Sequence, residues 1–101
     1  MTMSREVDNV LLTAHDLTHG ERREAYSHPF DDYTRVVGIF KAITGIELTP
    51  AQGVLFMMSI KLARLDFNDK KELLHLDSVI DAAGYMWCYA QVAEKMERPV
   101  A

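Results

Sequence analysis

Two aspartates four residues apart, Asp77 and Asp81, and two bases three apart, Lys61 and Arg64, have types and spacing that bear on chemistry. Asp81 sits inside the longest apolar stretch of the chain, Val79 to Cys88, and Lys61 and Arg64 interrupt a second one, Val54 to Leu65. Residues four apart stack on one helical face, so both carboxylates reach the same space. Two such carboxylates can ligate one hard divalent cation, with Mg²⁺ the natural choice. A lysine and an arginine on a facing helix would take the oxygens of a phosphate chain. An unpaired charge in apolar surroundings is costly, so each of the four needs a counter-charge, a metal or a ligand. The same side chains also make a ligand-free ion network, with Lys61 and Arg64 neutralising Asp77 and Asp81. Buried ion pairs rarely stabilise more than hydrophobic replacements would, and that tips the reading toward a site.

Other residues extend this set. Tyr85 continues the Asp77–Asp81 face by another turn and could stack on a base or bond a sugar hydroxyl, or simply be a core tyrosine with its hydroxyl at the rim. Gly84 beside it leaves room for a close backbone or a flat ligand. The segment from Arg22 through Tyr26 to His28 places guanidinium groups, a phenol and an imidazole just before a helix, where anions often bind. Arg23 is better read as a partner of its acidic neighbours. His75, two residues before Asp77, could orient a carboxylate or a phosphate. His15 and His19 are four apart, but no third ligand follows in a zinc spacing. Cys88 reads as a packed thiol. There is no glycine-rich phosphate loop, nucleophile elbow or Cys/His pairing.

Helices must position these groups. Ser4 can cap a first helix whose apolar stripe is Val7, Val10, Leu11, Ala14 and Leu17, with Gly20 as its end. Pro29 fits the first turn of a second helix, with Phe30, Tyr33, Val36, Val37, Phe40 and Ile43 inward and Gly45 as terminator. Thr49-Pro50-Ala51-Gln52 is a capping box that opens a third helix, running to about Leu65. That helix is apolar almost all round, which predicts a central place. Asp66 to Lys71 reads as a loop, and a fourth helix starts between Lys71 and Asp77 and runs to about Lys95. The tail from Glu97 reads as frayed.

Strand-like alternation is absent, so the expected fold is all-α, a four-helix bundle-like single domain over residues 1–101. At 101 residues, 49% hydrophobic with three prolines and five glycines, the chain can bury one core. The third and fourth helices carry more apolar surface than a monomer of this size covers, which predicts a homodimer or higher homo-oligomer. A net charge of −4, with its short basic pairs flanked by acids, argues against general nucleic-acid binding. A lone cysteine excludes an intrachain disulfide. No apolar run reaches the roughly 18 residues of a membrane span, and the first turns carry Arg5, Glu6 and Asp8. The expected location is the cytoplasm.

The blocks Arg22/Arg23…Tyr26-Ser27-His28-Pro29, Lys61-Leu62-Ala63-Arg64-Leu65 and His75-Leu76-Asp77-Ser78-Val79-Ile80-Asp81-Ala82-Ala83-Gly84-Tyr85 occur in that order. Together they resemble a small helical family common in bacteriophages, of unknown function and described as MazG-like, over about residues 10–92. The resemblance implies an all-α domain related to nucleoside triphosphate pyrophosphohydrolases, which use Mg²⁺ held by acids on two helices. Asp81 is similar to the closing aspartate of their Glu-x-x-Asp motif. Ser78 stands where the glutamate falls, with Asp77 one residue earlier. Lys61 and Arg64 occupy the place of the Glu-x-x-Glu pair, and Ser27 replaces the usual glycine after the tyrosine.

The expectation is therefore a MazG-like nucleotide-binding protein that hydrolyses a nucleoside triphosphate or related nucleotide. Asp77 and Asp81 would be catalytic and would hold Mg²⁺. Lys61, Arg64, Arg22, Tyr26, His28, His75 and Tyr85 would bind substrate, with Arg22 and His28 closing over it. Two alternatives stay open: a non-catalytic module for a nucleotide or phosphorylated metabolite, and a small phage protein acting on a host factor.

Overall fold

The computed structural model describes residues 4–20 and 28–101. They form α1 (Ser4–Asp8), α2 (Val10–Thr18), α3 (Pro29–Thr44), α4 (Pro50–Asp69) and α5 (Leu76–Lys95). The fold is all-helical, as expected. The first of the four anticipated helices is interrupted at Asn9, and Ser4 is its first helical residue rather than its cap.

Local chemistry accounts for the helix starts. His28 precedes α3, and its ring Nδ1 accepts from the Phe30 N–H at 3.0 Å. Pro29 takes the first position, where a missing donor is harmless, and Asp31 and Asp32 face the positive end of the helix. At the start of α4 the Gln52 N–H donates to Thr49 Oγ1 (3.1 Å) and the Thr49 N–H to Gln52 Oε1 (2.9 Å), closing the capping box. Gly45 ends α3 at φ 76°, its N–H donating to the Lys41 carbonyl.

The expected loop at Asp66 is instead the last turn of α4, which continues to Asp69. The Asn68 side chain donates to the Arg64 carbonyl at 2.9 Å, and Lys70 pairs with Asp66 one turn back at 3.1 Å. The chain then turns through Glu72 at φ 60°, with the Leu73 N–H closing onto the Asn68 carbonyl. This is a left-handed helix end made without glycine, so no sequence signal marked it.

α5 packs along α4 and carries α2 on another flank, while α3 lies against α4. Tyr33, Ala51, Val54 and Val92 form the buried centre, with Phe30, Met57, Tyr85 and Tyr89 packed around it. Two glycines allow close approach. A Cβ on Gly53 would stand 2.7 Å from Val37 Cγ1, and one on Gly84 would stand 3.3 Å from Thr18 Cγ2. The room at Gly84 is thus filled by α2.

Two packing expectations are corrected. On α2 only Ala14 is buried, and Leu11 and Leu17 face solvent. α4 covers one side only, leaving Leu55, Phe56, Ile60, Leu62 and Phe67 exposed. Among the described residues, no helix is long and apolar enough to cross a membrane.

Candidate functional site

Lys61 lies on the inward stripe of α4, in register with Val54, Met58 and Leu65, seven residues after Val54 and four before Leu65. Its stem is therefore directed under α5, and the ammonium must find an oxygen there. It finds Asp81: Lys61 Nζ stands 2.8 Å from Asp81 Oδ2, with the lysine side chain 16% exposed and the aspartate 37%. The apolar run around Asp81 is thus relieved by a cation from the neighbouring helix.

The pair forms part of the wall of a cleft of about 210 Å³ between α2, α4 and α5. Ala14, Leu17 and Thr18 come from α2, and Ile80, Gly84, Tyr85 and Cys88 from α5. Tyr85 is half-buried, packing against the core while also bordering the cleft. The result is a pocket lined about equally by polar and apolar surface, with one cation, one anion and a phenol on its wall. Pockets that enclose a whole drug-sized ligand run to roughly 300–1,000 Å³, so this one holds a ligand of smaller size or one end of a larger one.

The other anticipated residues fall elsewhere. Asp77 and Arg64 are exposed, and neither makes an ion pair with a described residue. Two acids and two bases do not share one pocket; one of each does. Neither Asp77 nor Arg64 borders the cleft. His75 shares a 2.6 Å hydrogen bond with Ser78 Oγ, and Ser78 is fully buried, so this pair closes the start of α5. His28 serves as the cap of α3. Arg22 and Tyr26 lie outside the described residues, as do Arg23 and Ser27.

Among the described residues, no three His, Cys, Asp or Glu side chains gather where they could hold a metal. Asp81 already has an ammonium on one oxygen, and its nearest acid in sequence along α5 is exposed. The donor set therefore suits a cation–carboxylate pair better than a resident Mg²⁺ ion, which requires several oxygen ligands.

The contribution of α2 was not anticipated. Its signal was present in Ala14 and Thr18, small residues four apart that can meet the small Gly84 on a facing helix. On the other flank of that crossing, His15 and His19 stack with ring centroids 4.0 Å apart, and His19 leans on Trp87 at 4.7 Å. His19 Nδ1 donates to the His15 carbonyl at 2.7 Å, so the two rings serve the end of α2.

A family model described as a domain of unknown function, DUF6378, matches residues 9–93. The chain is similar to the Gene 55 protein of Mycobacterium phage L5, 33% identical over 92 residues, covering 90% of this chain and 54% of that protein. It is also similar to the Gene 55 protein of Mycobacterium phage D29, 30% identical over 88 residues, covering 87% of this chain and 56% of that protein. The chain thus spans little more than half the length of these curated relatives. No solved structure matches it.

Proposed function

We propose that this chain, which belongs to the DUF6378 family, binds a nucleotide or similarly phosphorylated small molecule in the α2–α4–α5 cleft. The observation that carries this reading is the half-buried Lys61–Asp81 pair on the cleft wall.

An anion that takes the Lys61 ammonium must compete with Asp81. It succeeds best when the same ligand gives Asp81 a donor in return, because a stranded half-buried carboxylate is costly. The ligand therefore presents an anionic oxygen and a hydroxyl or amine close together. A phosphate beside a sugar hydroxyl has that pattern, and the phenol of Tyr85 offers a further partner. The cleft volume suits the sugar–phosphate end of a nucleotide, with the base outside.

In this reading binding needs no metal, and Mg²⁺ enters only as the counter-ion a triphosphate carries. Hydrolysis, the MazG-like activity that the resemblance implies, is the second reading. It is favoured by one observation, the spacing of exposed Asp77 one turn before Asp81.

Calorimetric titration with deoxynucleoside mono- and triphosphates, with and without Mg²⁺, tests both. Binding that is independent of Mg²⁺, is lost in Lys61→Met and releases no pyrophosphate is the expected result. Affinity that requires Mg²⁺ and disappears in Asp77→Asn favours the hydrolase. No heat with any phosphorylated ligand overturns both readings and leaves the pair as a core ion bridge.

A further inference from the structure

The cleft between α2, α4 and α5 is balanced in charge, and the balance selects among the phosphorylated ligands it can take. Among the described residues on its wall, Lys61 and Asp81 alone carry charge, one of each sign. Arg64, the other cation of α4, is exposed and does not border the cleft. A ligand with several negative charges therefore meets a carboxylate that repels each of them about as strongly as the ammonium attracts it.

The pair also retains bonding capacity. An ammonium has three donors and a carboxylate two oxygens, and the 2.8 Å contact engages one donor and Oδ2. No other described residue hydrogen-bonds to either group. A ligand can therefore join the intact pair instead of breaking it.

We infer that the preferred ligand is zwitterionic at the end that enters the cleft: a phosphomonoester with a primary amine on the carbon next to the ester carbon. This rests on the reading of the cleft as a phosphate site. The phosphate takes the remaining donors of Lys61, and the ligand's ammonium takes the remaining oxygen of Asp81. Four charges then alternate in sign around one ring, and neither protein charge loses its partner. A hydroxyl in place of the amine also donates to Asp81, but it leaves two anions beside one cation. The ammonium restores the balance. A triphosphate gains nothing from its additional charges, because the wall offers them no second cation.

Calorimetric titration with α-D-glucosamine 1-phosphate and α-D-glucose 1-phosphate tests this, since the two differ only in an amine or a hydroxyl beside the phosphate. The amine ester is expected to bind at least about tenfold more tightly. Glucosamine without phosphate should bind at least about tenfold more weakly than its ester. In Asp81→Asn, with helicity checked by circular dichroism, the two esters should bind within about twofold of one another. Equal affinity of the two esters for the unaltered chain overturns the inference and leaves phosphate binding in the cleft standing. A preference for the amine that persists in Asp81→Asn puts the amine elsewhere and overturns it as well. If neither ester nor a deoxynucleoside monophosphate binds, the phosphate reading falls and the inference falls with it.

Discussion

Lys61 and Asp81 are unequally buried, and the inequality sets the direction of two substitutions. Asp81→Asn strands an ammonium that is only 16% exposed, so it should cost about 2 kcal/mol in urea denaturation. Lys61→Met leaves a carboxylate that water reaches and adds apolar packing, so its cost should stay below ~1 kcal/mol. Equal costs would mean that the pair is not held as described. This pair was legible in the sequence because each charge interrupts an apolar run. Its supposed companions were not separable from it by spacing alone. Arg64 is three residues from Lys61 and so turns about 60° around the helix, enough to leave the packed side. Asp77 lies in the first turn of α5, where a shared face no longer means a shared environment.

Helix boundaries divide in the same way. The starts of α3 and α4 were readable because proline at the first position and the Thr49–Gln52 box are local chemistry. The end of α5 at Lys95 was also legible, but the end of α4 was not, because the chain leaves it through a glutamate in the left-handed region, Glu72 at φ 60°, as it does after α5 at Glu97, φ 61°. Such a conformation costs a side-chain-bearing residue about 1 kcal/mol or more. Glu72→Gly should therefore raise stability by ~0.5–1 kcal/mol, measured as a shift of the urea midpoint at constant slope. Gly53→Ala should act the opposite way, since the new methyl would stand 2.7 Å from Val37 Cγ1. A loss of about 1–3 kcal/mol is expected, largely recovered when Val37→Ala is added. Failure of the second substitution to recover stability would place the strain elsewhere.

For the molecule as a whole, the all-α class followed from hydrophobic spacing, whereas the distribution of apolar surface did not. The nearly all-apolar α4 suggested a central helix, and within one chain it is covered on one side only. The homo-oligomer expected from surplus apolar surface would couple folding to assembly, so the midpoint of thermal unfolding should rise with protein concentration, as differential scanning calorimetry over a hundredfold range would measure.

The crossing of Thr18 over Gly84 has a consequence for the cleft. α2 has nine residues, too few to stay helical once detached, and it carries one fully buried residue, Ala14. One wall of the pocket is therefore a short helix with little buried apolar surface, and lifting it would both unwind α2 and open the pocket. Any guest held there should slow deuterium uptake by the amides of residues 10–18 more than elsewhere. An empty pocket should be transient in the same measure as that helix.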